Sequence, residues 1–474
     1  MSPATGTLVN GWKGVFENDR IDYSSTSRMN KNMLRRRQLL IAVCAIAVVL
    51  GAAILLHGSG KEQKPNIIII LADDYGYGDV GCFGSHRFNT PHIDALAAGG
   101  LRFTDFHSNG AVCSPTRAAL LTGRYQQRTG ISGVVTAAGH RHTGLDLGEI
   151  TFAEILKSAG YVTGLFGKWH LGYHTDYNPI RQGFDEFIGY VSGNVDYHAH
   201  LDQTGREDWW NKDQMNPENG YTTDLLTEHG VDFIRRHRRQ AFLLYIAHEA
   251  PHYPFQGRKD PPRYTRENGR TEDPVTLEVY KEMIEVMDES VGRIHQAVID
   301  AGLMENTFIF FFSDNGPSGL GSAGALRGKK GQIWEGGHRV PAIAYWPGKI
   351  EAGQVTDLTA MGADLLPTMA AISGTALPDS LVLDGINLLP HLIEHTEPGP
   401  RPLFWSHNNQ LAIRRGDFKL VTDTSFSEAS MYNLSVDLGE EHDIAAQNQA
   451  LVQELLEILR AWQKEVTKDV QKRT

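Results

Sequence analysis

The 474-residue chain reads as an α/β protein: a large, mostly parallel sheet sandwiched by helices, with a small C-terminal α+β subdomain. Three observations predict this. "NIIIILADDYG", from Asn66, and "TFIFFFSDNG", from Thr307, are unbroken apolar runs ending in acidic and turn residues. That is the pattern of strands buried on both faces rather than one. Segments with helical periodicity and helix punctuation alternate with such runs, as βαβ units require. Beyond Glu397, shorter strand-like pieces and one closing helix replace the alternation.

In chain order come residues 1–38, of which 1–28 are polar and patternless and Arg35-Arg36-Arg37 are basic. They are expected to be a cytoplasmic tail or to lie upstream of the true start, Met29 and Met33 being more ordinary starts. Leu39 to Leu56 is an uninterrupted small and apolar run. It reaches the lower limit for crossing a bilayer, about 17 residues, and exceeds a usual signal core. Residues 39–56 are therefore read as a transmembrane anchor or signal sequence, the anchor being preferred. The arginines before it place everything after residue 57 on the far side of the membrane, extracytoplasmic and anchored, or secreted if the signal is cleaved. Residues 57–65 form a polar linker, 66–396 the main domain and 397–474 the C-terminal subdomain.

Within the main domain, "NTPHIDALAAGG" predicts a helix with Thr90 as N-cap, Pro91 at its first position and glycine at its end. "TFAEILKSAGY" predicts another, with a capping box of Thr151 and Glu154 and Gly160 as its stop, and "YVTGLFG" is the strand that follows. A helix over 223–237 leads into "AFLLYIAHEAPH", and a long amphipathic helix from about Val275 to Ala301 leads into "TFIFFFSDNG". The Pro/Gly-rich joint "EPGPRPLFW" opens the subdomain. "LAIRRGDFKLVTD" and "ASMYNLS" supply its short strands, and a helix from about Asn448 to Val466 closes it.

A charged fraction of 21% and an apolar fraction of 41% are those of a globular protein. The net charge of −11 leaves no broad basic surface, so no nucleic-acid partner is expected. The run Arg235 to Arg239 is the solvated C-terminal end of a helix. Three cysteines, Cys44, Cys82 and Cys113, make no disulfide scaffold, and no Cys/His cluster has the spacing of a structural zinc site.

The four main-domain strands end in Asp73-Asp74, in Gly167-Lys168-Trp169-His170, in His248 through His252, and in Asp314-Asn315. In open α/β sheets, ligands bind beyond the carboxyl ends of the strands. These ends make one site if the strands are neighbours. Asp73, Asp74, Asp314 and Asn315 offer hard oxygen donors without sulfur or imidazole, which suits Ca²⁺ or Mg²⁺. The amide oxygen and the carboxylates favour Ca²⁺. An acidic pair after a strand also serves as an ordinary turn or helix cap; the second pair on another strand is what favours a metal. Arg117, Lys168, Lys330, His170 and His252 add cations and proton carriers. With a divalent metal they describe a site for an oxyanion whose leaving group is protonated. Of Lys329 and Lys330, one is expected to face solvent. Cys113, in "NGAVCSPTRAALLTGRY", stays open to three readings: a core cysteine, a thiol nucleophile, or a residue modified after translation.

Here a resemblance becomes specific. "CSPTRAALLTGR" resembles the Cys-x-Pro-x-Arg signature of the type I sulfatases, including its trailing Leu-Thr-Gly-Arg. "NIIIILADDYGYGDVG", "GKWHLG", "EAPHYPF", "FFSDNGP" and "LRGKKGQIWEGGHRVP" are similar to the same family in order, over about residues 65–450. The branch resembled is that of the arylsulfatases and N-acetylgalactosamine sulfatases. The resemblance implies an alkaline-phosphatase-like fold and hydrolysis of sulfate monoesters, on a sulfated carbohydrate or an aryl sulfate. It implies that Cys113 is oxidised to Cα-formylglycine by a formylglycine-generating or other maturation enzyme, and that the hydrated aldehyde is the nucleophile. Asp73, Asp74, Asp314 and Asn315, with an oxygen of modified Cys113, would hold one Ca²⁺. Arg117 would hold the hydrate and Lys168 the sulfate, while His252 and Lys330 would bind sulfate and assist the leaving group. His170 would take the proton of the second hydroxyl, so that the aldehyde reforms as sulfate leaves. A related phosphomonoester or phosphonate hydrolase is the alternative, and an inactive sulfated-glycan-binding relative the third reading. The extra carboxylate and His ligands of a two-zinc phosphatase are missing. In the long polar insertion, Trp209, Trp210, His198 and His200 are candidates for a sugar-binding wall, set against a plain loop. Asn433-Leu434-Ser435 is a formal glycosylation sequon.

Overall fold

The computed structural model describes residues 33–46, 64–270 and 275–468. The chain divides into two compact units, residues 1–62 and 63–474. In the first, residues 33–46 form an exposed helix that takes in the beginning of the expected anchor or signal; residues 47–56, like the tail before 33 and the linker up to 63, lie outside the described residues. Among the described residues, no helix is long and apolar enough to cross a membrane.

The second unit is built on sixteen described strands. In chain order they are β1 Asn66–Ala72, β2 Leu101–Phe103, β3 Phe106–His107, β4 Val162–Lys168, β5 Glu186–Tyr190, β6 Trp210–Asn211, β7 Gln214–Met215 and β8 Phe242–Ala247. There follow β9 Thr307–Ser313, β10 Ala342–Tyr345, β11 Gln354–Thr356, β12 Ala360–Met361, β13 Pro402–His407, β14 Gln410–Arg415, β15 Phe418–Asp423 and β16 Ala429–Asn433. The main sheet runs β11-β2-β10-β9-β1-β8-β4-β5-β6-β7. Its centre, β9-β1-β8-β4-β5, is parallel throughout, and antiparallel pairings appear only outside it, from β10 and β6 outward.

The unbroken apolar runs follow from burial on both faces. Along β1, Ile67, Ile69 and Leu71 enter one core cluster with Leu120, Leu121, Phe152 and Met369 from the helices Cys113–Thr122, Phe152–Ser158 and Leu365–Ser373. Ile68, Ile70 and Ala72 enter the other, with Ile93, Phe233 and Met287 from the helices Pro91–Gly99, Thr222–His237 and Leu277–Asp300. β9 divides in the same way, Phe308, Phe310 and Phe312 to one side and Ile309 and Phe311 to the other. No position on either strand faces water, so no polar alternation appears in the sequence.

The Thr151–Glu154 capping box is present in full. Thr90 and Pro91 take their expected N-cap and first positions, but the Thr90 hydroxyl makes no cap bond. It instead accepts the Gly81 N–H at 2.9 Å, and Asp288 from the long helix accepts the His92 and Ile93 amides at 3.1 and 2.8 Å. A carboxylate at a helix N-terminus satisfies the orphan amides and complements the dipole, and it displaced the local hydroxyl. Past an irregular stretch at 395–401, β13 to β16 form an antiparallel sheet. The helix Gln449–Val466 packs on it through Leu455, Leu459 and Trp462, and the same cluster takes in Tyr125, Ile333 and Met361. The C-terminal layer thus shares a core with the segments that frame the sheet edge described next.

Candidate active site

The strand register brings the polar ends together. Ala72 pairs with Ser313, Leu71 with Ala247, and Ala247 with Gly167. The residues that follow β1, β9, β8 and β4 therefore emerge side by side. Asp314 N–H donates to Ala72 O at 3.0 Å and Asp73 N–H to Ala250 O at 3.2 Å, carrying the ladder one step past the strands. Asp74 and His170 then turn the chain with φ of 63° and 58°, a left-handed conformation uncommon outside glycine. Gly167 cannot be otherwise, because a Cβ there would lie 2.0 Å from the Ala247 carbonyl oxygen. The helix Cys113–Thr122 begins at this edge, and all its residues are buried. Arg117 lies one turn after Cys113 and so shares its face. Pro115 sits in the first turn, where its missing N–H costs no intrahelical bond.

Every residue expected at the site arrives there. Cys113 Sγ lies 3.4 Å from Asp73 Oδ1, and the Lys168 ammonium donates to the other Asp73 oxygen. Arg117 donates to Asp314 Oδ2 through Nε at 3.1 Å and Nη2 at 2.9 Å, and to Lys168 O through Nη1 at 3.0 Å. Lys330 Nζ is 2.6 Å from Asp74 Oδ1, and His252 Nε2 is 3.7 Å from Asp74 Oδ2. Lys329 is exposed, so Lys330 is the inward member of the pair. His248 points away, to Ser290 Oγ at 2.9 Å.

The electrostatics sort these groups by role. Burial, reinforced by Asp73, pushes the Cys113 thiol up to about 12. A thiolate nucleophile is therefore scarce at neutral pH. Burial and the Asp73 charge hold Asp314 up at about 6. Burial opposes ionisation of Asp74, yet the Lys330 ammonium overrides it and keeps that carboxyl well below the usual range. The same pairing holds Lys330 protonated against its own burial. Burial and the cations Lys168 and Arg117 push His170 well below its ordinary value, so its ring is neutral. Its Nε2 lies 3.0 Å from Val135 O, an acceptor, and so carries the ring's one hydrogen. Nδ1 is left as a buried lone pair with no hydrogen-bond partner. That is the form of a general base.

Asp73, Asp74, Asp314 and Asn315 fit a hard divalent cation. Three carboxylates are buried at one edge, and Asn315 Oδ1 is buried with no hydrogen-bond partner while its Nδ2 donates to Asp74 Oδ1 at 2.7 Å. The amide is thereby oriented with its oxygen free, as a metal ligand requires. A second buried group, His107, Glu335 and His338, is instead filled by protein cations. Lys419 Nζ lies 2.9 Å from Glu335 Oε1 and 2.9 Å from Glu440 Oε1, and Arg414 bonds Asp105 at 2.7 Å. This network grips the segment bearing Lys330 at both ends. Arg327 Nη1 donates to Glu440 O at 2.5 Å, and Glu335 N–H donates to Glu440 Oε2 at 2.8 Å.

Beside Cys113 opens a cavity of about 140 Å³, whose walls include Val135, His170, His252 and Lys330. Its walls also hold Tyr173, Asn194, Gln203 and Tyr253, none of which was singled out from the sequence. The signal that existed was proximity in the chain: Tyr253 follows His252, and Asn194 and Gln203 lie on either side of the segment 196–202 that holds His198 and His200. Of the two readings of that insertion, the plain loop holds and the sugar-binding wall does not. Trp209 is 1% exposed, stacked on His200 at 4.3 Å and bonded to Glu218 at 3.2 Å. His198 bonds Gly257 O. Neither they nor Trp210 line the cavity; they brace the loop from behind.

Comparison with known proteins gives the site its context. Residues 65–375 match the family profile described as Sulfatase. The chain is 35% identical over 419 residues to N-acetylgalactosamine-6-sulfatase of Rattus norvegicus, covering 81% of this chain and 75% of that protein. It is 34% identical to arylsulfatase A of Homo sapiens over 86% of this chain and 89% of that protein. Among solved structures, Ps i-CgsB, also known in complex with k-i-k-neocarrahexaose, superimposes with a TM-score of 0.77 at 30% identity, covering 86% of this chain and 93% of that one. A profile match across most of the chain, relatives this similar and the alkaline-phosphatase-like sheet agree: the chain belongs to the sulfatase family and is a sulfuric ester hydrolase.

Proposed function

We propose that the substrate is a sulfate monoester on a carbohydrate, and that hydrolysis uses formylglycine made from Cys113 together with one Ca²⁺. The observation that carries this is the setting of Cys113. It opens a wholly buried helix with its thiol pushed up to about 12, against four oxygen donors and three cations that a thiol nucleophile would not need. Names of relatives support a carbohydrate, since one similar protein is an N-acetylgalactosamine-6-sulfatase. Asp73, Asp74, Asp314 and Asn315 would hold the Ca²⁺, with an oxygen of modified Cys113. When bound, the ion would supply positive charge against the negative charge that builds on sulfate. Formylglycine would supply a hydrated aldehyde: one hydroxyl to attack sulfur, and a second whose deprotonation expels sulfate.

The chain's own residues do the rest. Arg117, tied to Asp314, orients the reacting face of residue 113, and Lys168 meets the sulfate from the β4 side. Lys330 carries a proton at neutral pH and, with His252, binds sulfate and stabilises the leaving oxygen. His170 Nδ1 is the lone pair that accepts the second hydroxyl's proton. Because Cys113 is 2% exposed, a maturation enzyme would oxidise it before the fold closes. We place the second unit on the extracytoplasmic side, anchored through residues 39–56 or secreted if that segment is cleaved.

Mass spectrometry of the peptide 110–125 tests the modification: an aldehyde at residue 113 is expected. Full sulfatase turnover by protein carrying only unmodified cysteine would sink the mechanism. Turnover of nitrophenyl phosphate above nitrophenyl sulfate would favour a phosphomonoester hydrolase instead.

A further inference from the structure

Tyr253, in the cavity wall, carries an exposed cation, Arg270, on its ring. Tyr253 stacks beside His252, their ring centroids 4.2 Å apart. The Arg270 guanidinium lies 4.2 Å from the centre of the same Tyr253 ring, so this one phenol touches both the imidazole of the sulfate position and the guanidinium. Arg270 is held there by its backbone. Its N–H donates to Gln203 O at 3.0 Å, and the turn before it is closed by reciprocal Thr265–Gly269 bonds at 2.8 and 3.1 Å. Gln203 Nε2 reaches Tyr253 Oη at 3.4 Å and also donates to Asn194 Oδ1. Neighbouring arginines are committed elsewhere: Arg141 pairs with Asp202 at 3.3 Å, and Arg266 with Glu207. Arg270 is exposed and has no carboxylate partner among the described residues.

A guanidinium placed over an aromatic face still offers N–H donors to a planar or tetrahedral oxyanion. A sugar leaving group that extends from the sulfate past Tyr253 and Gln203 brings its own substituents to those donors. Resting on the sulfatase reading above, we propose that Arg270, with Tyr253 and Gln203, forms a second anion subsite. It takes a carboxylate or a further sulfate on the sugar that bears, or adjoins, the scissile ester. The preferred substrate is thus a polyanionic glycan rather than a singly sulfated neutral sugar.

The test compares matured wild type, Arg270→Gln and Arg270→Lys on four substrates: nitrophenyl sulfate, a hexosamine monosulfate, the corresponding disulfate, and a monosulfated disaccharide containing a uronic acid. Wild type is expected to favour one of the two dianionic sugars over the monosulfate by about tenfold in kcat/KM, mainly through KM, as one charge-assisted contact allows. Which of them is favoured identifies the second group as sulfate or carboxylate. Arg270→Gln should abolish that ratio, and Arg270→Lys should retain part of it and lose more on added salt. A wild-type enzyme that turns over nitrophenyl sulfate yet shows no preference overturns the subsite alone, as does a preference unchanged in Arg270→Gln. Absence of turnover on every sulfate ester would overturn the sulfatase reading itself, and the subsite with it.

Discussion

Lys419→Met isolates what the C-terminal layer does for the active site. The Lys419 ammonium is fully buried between Glu335 and Glu440, 2.9 Å from each, and 3.2 Å from His338 Nε2. Met preserves most of the stem and removes the charge. Stranding a buried charge costs about 3–5 kcal/mol. The lower end applies here, about 3 kcal/mol, because Glu335 keeps Arg339 and Arg414, each at 3.4 Å. Glu440 has no such reserve, and burial already pushes it up against the pull of Lys419. Without the ammonium its folded pKa rises further above the unfolded value of about 4.3. A group raised in this way favours the folded state below its unfolded pKa and loses that advantage as pH climbs through the folded one. The destabilisation should therefore be small near pH 5 and reach its full value near pH 8. Urea unfolding followed by tryptophan fluorescence at both pH values measures it, and Lys419→Met with Glu440→Gln should recover most of the loss at pH 8. A loss under about 1 kcal/mol, or one that does not change with pH, would refute the reasoning.

Two further predictions concern the sheet edge. Asn315→Ala removes the free amide oxygen and should weaken Ca²⁺ at least tenfold, which lowers the stabilisation seen at a fixed concentration well above both dissociation constants by about 1.4 kcal/mol. Thermal midpoints with Ca²⁺ and with a chelator read this without assaying turnover, and a wild-type midpoint indifferent to both would refute the metal. Lys330→Met should cost about 10²–10³ in kcat/KM, the scale for removing one preorganised donor, whereas exposed Lys329→Met should stay within about twofold. Equal losses in the two variants would mean that the loop, not the Lys330 ammonium, matters.

The parts of this molecule that were legible are those whose physics is local. Strands buried on both faces must be apolar throughout, so β1 and β9 stood out, and so did the polar residues at their ends. Parallel neighbours in one sheet then bring those ends together by register alone, which is why Asp73, Asp74, Asp314 and Asn315 could be grouped before any coordinates. What stayed hidden depends on where distant segments land. The first turn of the helix Pro91–Gly99 is capped by Asp288, on an element nearly two hundred residues later, and no pattern around Thr90 reveals that. Lys329 and Lys330 are indistinguishable as letters; the backbone bond from Lys330 N–H to Pro317 O at 3.1 Å and the left-handed Gly331 set which one turns inward. Trp209 was a candidate for a sugar platform set against a plain loop, and its polar insertion folds back and buries it. The cavity wall is left to Asn194, Gln203 and Tyr253, residues ordinary in sequence. Most of the expected site groups sit just past strand ends or in the first turns of the buried helix Cys113–Thr122, where residue type and place are constrained together. The wall proposed to select among sulfate esters sits on loops, where side-chain direction is decided by packing, and there only the folded molecule singles out Arg270.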